Sequence, residues 1–148
     1  MLRGSMEFFV TVPVHVSSDL IKSYINLNKL SEWCDAINEV IDLEGNRAML
    51  VCEMGKLHVH RELIQEGVRF SITDSPYALQ WTVTADSENE VLLHCTINCR
   101  QCPAEFIEQL ERFLLCWDKG IVEWVKRRQE QQDKRACVSC GDSYGGFG

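Results

Sequence analysis

No stretch of this chain approaches the ~18 consecutive apolar residues that a membrane-crossing helix needs. Basic residues are also scarce. Fifteen Lys and Arg against 22 Asp and Glu leave a formal net charge of -7, which argues against a nucleic-acid or anionic-membrane binder. No broad basic stripe or RNA-binding signature offsets that balance. Eight cysteines in 148 residues, about 5%, fall below the level of a disulfide scaffold. No small-residue cleavage site follows the N-terminal apolar residues, so the expected location is a reducing cytoplasm. Nucleophile-elbow, phosphate-loop and H-E-x-x-H motifs are absent, and the chain has no internal repeat. The carboxylates Glu62, Glu66 and Asp74 have no partner at acid/base spacing. No catalytic residue, metal ligand set or cofactor is assigned.

The remaining composition, 45% apolar and 25% charged, suits one ordinary globular domain. Residues 1 to 5 read as a cloning remnant, 6 to 132 as the domain, and 133 to 148 as a flexible Cys- and Gly-containing tail. In "EFFVTVPVHV" Phe8, Val10, Val12, Val14 and Val16 share one face of a strand. Pro13 cannot donate to a ladder and predicts an edge or bulge. Ser17 or Ser18 can cap the helical segment that follows, and Asn26 and Asn28 break it into two short helices. From 38 to 99 six alternating segments are separated by "EGN", "GK", "QEG", "DSP" and "DSENE". Short polar turns of this kind predict antiparallel hairpins, making about seven strands in all. Pro103 then opens one long helix with an apolar stripe from Phe106 to Val125, expected to fade near Gln132. Gly120 inside it predicts a kink or a close approach to the sheet. The basic residues at 126 to 128, 134 and 135 are interleaved with Glu130 and Asp133 and read as a solvated helix end.

A strand, a helix pair, six strands and a long C-terminal helix resemble the START-like superfamily, also called SRPBCC or helix-grip. The segments "VSSDLIKSYINLNKLSEW", "ITDSPYALQWTV" and "LLCWDKGIVEWVKRRQ" carry the local likeness, nearest to the polyketide-cyclase and chaperone-activator branches. The resemblance implies an α+β fold in which a curved seven-stranded antiparallel sheet wraps the long helix, with two short helices between the first and second strands. It also implies a cavity between sheet and helix for an apolar ligand, lipid-like or polycyclic. Fold alone does not fix function.

Alternation assigns the inward face to Leu50, Cys52 and Met54, to Leu57, Val59, Arg61 and Leu63, and to Phe70 and Ile72. Further along come Tyr77, Leu79, Trp81 and Val83, then Leu93, Cys95, Ile97 and Cys99, with Phe113, Trp117, Ile121 and Trp124 from the helix. The candidate ligand-binding residues are Met54, Arg61, Phe70, Tyr77, Trp81, Cys95, Phe113, Trp117 and Ile121. Arg61 is the one charge on its inward face. It either anchors a polar ligand group, pairs with a carboxylate such as Glu53, or reaches out to solvent at the mouth.

Three functions fit: a soluble, non-catalytic domain holding an apolar small molecule, a polyketide cyclase- or hydrolase-type enzyme using the same cavity, and a chaperone-activator-like adaptor for a protein partner with a filled core. A continuous pocket bordered by Arg61, Phe70, Trp81 and Trp117 supports ligand binding, and a packed core supports the adaptor. The chain is expected to be a monomer or weak dimer.

The spacing Cys99-x2-Cys102 with Cys137-x2-Cys140 imitates a four-cysteine zinc site. A helix of about 45 Å between the pairs separates them. Cys95 and Cys99 are therefore expected to be buried and unpaired. His58, His60 and Glu62 share an outer face and read as solvated.

Overall fold

A computed structural model describes residues 5 to 145 except 88 and 100, with side chains to 135. Seven strands form one antiparallel sheet: β1 (Ser5–Val12), β2 (Ile37–Glu44), β3 (Arg47–Cys52), β4 (Gly55–Ile64), β5 (Gly67–Ile72), β6 (Gln80–Ser87) and β7 (Glu90–Asn98). Their order is β1-β7-β6-β5-β4-β3-β2. Six consecutive strands are joined hairpin to hairpin, as their short turns dictate. β1 adds to the far side of β7, so β1 and β2 are the two edges.

β1 stops at Val12 rather than running on to Val16. Pro13 removes the next donor, and the Val14 N–H closes back on the Val12 carbonyl at 2.8 Å. Helix α1 (Ser18–Tyr24) follows, capped by Ser17, whose hydroxyl accepts the Leu20 N–H at 3.2 Å. A 3-10 turn at Leu27–Lys29 leads into α2 (Leu30–Trp33). The break between them falls at the two asparagines.

Helix α3 spans Ala104–Gly145. It extends past Gln132, where composition predicts fading; the side chains beyond Arg135, Cys137 and Cys140 included, lie outside the described residues. Its stripe packs on the apolar face of the sheet, with Leu110, Phe113, Leu114, Trp117 and Ile121 all buried. No helix among the described residues is long and apolar enough to cross a membrane. Several expected inward residues depart from the pattern: Leu63, near the end of β4, is 60% exposed, and Met54, Leu57, Arg61, Tyr77 and Trp124 are only half-buried.

Gly120 does mark a close approach, but to α2 rather than to the sheet. A Cβ there would sit 1.7 Å from the Trp33 carbonyl oxygen and 2.6 Å from its carbon. Backbone cannot rotate away as a side chain can. Replacing Gly120 with alanine gains about 1 kcal/mol of helix propensity but forces α2 and α3 apart. The expected net effect of Gly120→Ala is a loss of about 2 kcal/mol, read as a lower midpoint in urea unfolding. An unchanged midpoint would show that the helices separate freely.

Candidate functional site

Strand register builds one inward row across five strands. Phe8 pairs with Cys95, Cys95 with Trp81, Trp81 with Phe70, and Phe70 with Arg61. Directly paired antiparallel residues project to the same side, so the row is continuous. Onto it α3 lays Phe113, Trp117 and Ile121, spaced four apart on one helical face.

The rings interlock. Phe70 stacks on Trp81 with centroids 5.2 Å apart, and Phe113 meets Trp81 edge-on at 5.0 Å. Trp117 lies 6.1 Å from Phe70 and 6.3 Å from Trp81. Phe70, Trp81, Cys95, Phe113, Trp117 and Ile121 are all buried, and burial pushes the Cys95 thiol up to about 12. Six of the nine sequence-predicted site residues thus share one core. The four ring side chains occupy the space between sheet and helix where a pocket would lie. Surface depressions among the described residues are walled by other side chains.

That core holds one chemical anomaly. The indole Nε1 atoms of Trp81 and Trp117 are both buried and meet no acceptor among the described residues. An unsatisfied buried donor costs about 1–3 kcal/mol, so two in adjoining rings are an uncommon arrangement.

The other three predicted residues lie around the core. Arg61, half-buried, does not pair with Glu53. Its Nε donates to the Ile25 carbonyl at 2.9 Å and its Nη2 to the Lys22 carbonyl at 2.7 Å. These are carbonyls at the C-terminal end of α1, which have no partner within the helix. Burial lowers the Arg61 pKa from its ordinary value. Glu53 is held instead by Arg112 of α3. Arg61 also borders a surface depression of about 360 Å³ beside Asn26, Leu43 and Asn46. Tyr77 packs against Phe106 at 4.6 Å, where the β5–β6 loop meets the start of α3. Met54 is half-buried in the β3–β4 turn.

The cysteines need one correction. Cys95 is buried and free, but Cys99 is not unpaired: it is joined to Cys102 in a disulfide. β7 ends at Asn98, so Cys99 has left the ladder and the chain turns before Pro103. The turn brings the two Cα atoms to 5.9 Å, within disulfide range. The histidines on the outer face are engaged singly. His58 Nδ1 meets Asp74 at 2.8 Å, and His94 Nε2 meets Glu7 at 2.8 Å while stacking on Phe9. Glu62 bonds Arg69. Among the described residues no three His, Cys, Asp or Glu side chains are grouped to hold a metal.

A second concave site was not visible in the sequence. Where α3 leaves the sheet, Trp124 packs on Trp33 at 4.9 Å and Tyr24 at 5.5 Å. The Arg128 guanidinium lies over both the Tyr24 and Trp124 rings, at 5.4 and 5.3 Å. Beside this stack opens a cleft of about 630 Å³ between α2 and α3. The only sequence signal was the tryptophan and arginine at 124 and 128, one helical turn apart.

No family model and no curated protein matches the chain. Solved structures do. A START superfamily protein from Mycobacterium smegmatis superposes with a TM-score of 0.52 at 14% identity, covering 86% of this chain and 98% of that one. Ara h 8.0201 superposes with a TM-score of 0.55 at 15% identity, covering 84% and 99%. At such identities the likeness establishes the fold: a helix-grip domain, with its curved seven-stranded sheet and long C-terminal helix.

The Arg61 geometry gives a direct expectation. Arg61→Gln leaves α1 carbonyls without their charged donor and should lower stability by about 2 kcal/mol in urea unfolding. Arg61→Lys should recover only part of it, since an ammonium cannot bridge both carbonyls in one fork. Full recovery by lysine would show that charge alone matters.

Proposed function

We propose that this chain is a binding domain for an apolar small molecule carrying a hydrogen-bond acceptor, seated between the sheet and α3 around Trp81 and Trp117. The observation that carries the reading is the pair of buried indole N–H groups without acceptors. Small-molecule sites are mostly apolar with a few placed polar groups, and this core has that composition. A ketone, ester or hydroxyl oxygen between the two indoles would satisfy donors that the closed core leaves unmet. Phe70, Cys95, Phe113 and Ile121 would supply the apolar walls. Met54, Tyr77 and Arg61 would stand at the margins, with Arg61 already committed to α1. The closed packing means that entry requires α3 to shift from the sheet. The helix-grip fold of the solved relatives supports this reading at the level of the fold.

A second reading has its own observation. The rings of Phe70, Trp81, Phe113 and Trp117 are all buried and contact one another directly. That favours a protein-interaction adaptor, with the fold acting as a scaffold. Neither reading invokes catalysis. The cyclase- or hydrolase-type alternative would need two polar side chains converging on one point in the core, and among the described residues no charged or hydroxyl-bearing side chain is buried there.

Native mass spectrometry of the protein purified from its own host tests the choice. The expected result is a retained small molecule on the wild type, absent from the Trp81→Phe, Trp117→Phe double variant. Each phenylalanine removes an unsatisfied donor while losing some ring volume, so the unliganded variants should stay within about 1 kcal/mol of wild type. A chain that carries nothing from its host, and whose Trp81 and Trp117 indole resonances ignore a panel of sterols, fatty acids and polyketides, would favour the adaptor.

A further inference from the structure

The cleft between α2 and α3 lies apart from the sheet–helix core and is lined differently. We infer that it is a second binding site, for a small ring-containing anion that also carries hydroxyl or amine donors, the chemistry of a nucleoside monophosphate.

Three observations carry this. The first is charge. The chain is acidic overall, at -7, yet one wall of the cleft presents Arg127, Arg128 and Arg135 from α3. Arg127 and Arg135 are eight residues apart, just over two helical turns, and both line the cleft. The second is what those arginines do not do. The opposite wall holds Glu32 and Asp35, but no ion pair joins the walls among the described residues. Opposite charges facing a common space of about 630 Å³ leave room for a molecule that bridges them. Its anionic group would meet the guanidiniums, whose planar fork suits phosphate or carboxylate. Its donors would meet Glu32 and Asp35.

The third observation is preorganisation. Arg128 is fixed over the Tyr24 and Trp124 rings, so one cation is already held in place before a ligand arrives. Tyr24 is 41% exposed, and Trp124 lines the same cleft. Both rings thus border the space a flat ligand would enter. Trp33 braces the stack from below, its Nε1 donating to the Tyr24 carbonyl at 3.0 Å. A helix end that is merely solvated has no need of an aromatic floor or of acids on the facing wall.

Four tryptophans give four indole N–H resonances, each assignable by its phenylalanine variant. Titrating the full chain with adenosine monophosphate and with 4-aminobenzoate should shift the Trp124 and Trp33 signals saturably. Their neutral counterparts, adenosine and aniline, should bind at least about tenfold more weakly. Arg127→Gln with Arg135→Gln should weaken the anionic probes by about tenfold or more, and raising salt should do the same. Both arginines are exposed, so the fold should be untouched. Glu32→Gln with Asp35→Asn should cost affinity for these probes but not for inorganic phosphate. Equal binding of neutral and anionic probes, or shifts that survive the double arginine variant, would overturn the inference, as would no shift with either anionic probe. Shifts at Trp81 and Trp117 instead would report the core, so success or failure at one site is read separately from the other.

Discussion

One helix must cover one face of a seven-stranded sheet, and most other features follow from that contact. The inward row from Phe8 through Cys95, Trp81 and Phe70 to Arg61 is a surface that water would otherwise wet. Each large side chain buried there contributes about 1.5–3 kcal/mol. Trp117 sits on both Phe70 and Trp81, so it joins helix to sheet at the centre. The two indole N–H groups left without acceptors oppose that stabilisation. A core selected only for stability has no use for them, which is why they weigh more in a functional argument than the apolar residues around them.

The same contact sets the positions of the short helices. α1 is tied to the sheet by Arg61, which reaches from β4 to the carbonyls of Lys22 and Ile25. α2 is pressed against α3 where Gly120 has no side chain. Sheet, α1, α2 and α3 are therefore linked through two small features, one guanidinium and one missing Cβ. Both are local, and both fix how the helices enclose the space around Trp124.

The fold was readable because its signals repeat. Alternation across six hairpin-linked strands and a helical stripe each offer many residues of agreement, and single exceptions such as Leu63 do not disturb them. The candidate site was readable only in part, for a definable reason. Periodicity says which face a residue occupies, not whether neighbours fill the space beyond it. It put Phe70, Trp81, Cys95, Phe113, Trp117 and Ile121 on one core but could not say that the rings close on one another. Arg61 shows the same limit: its isolation as an inward charge was evident, but its partners are main-chain carbonyls, which carry no sequence signature. The disulfide shows another. The spacing of Cys99 and Cys102 was visible, while the turn that brings them together depends on where β7 ends. The cleft was least visible, since its residues come from Tyr24, from α2 and from α3, and no local pattern joins them.

The two proposed sites would share α3, and that sharing has a consequence. Trp117 and Trp124 are seven residues apart, about 10 Å along one helix, with Gly120 between them. A ligand entering beside Trp117 must move α3 relative to the sheet, and a rigid helix carries Trp124, Arg127 and Arg128 with it. The facing wall carries Glu32 from α2 and Asp35 just beyond its end. Displacement of α3 therefore changes the width of the cleft, and a molecule bridging the cleft resists that displacement. Coupling of this kind is reciprocal: whatever factor a cleft ligand imposes on core binding, a core ligand imposes equally on the cleft. Its sign follows from geometry. A bridging anion that holds α3 against α2 stabilises the closed grip, so it should weaken entry into the core. The contact at Gly120 is where the two effects meet, because there α3 touches α2 backbone to backbone with no side chain to absorb the motion.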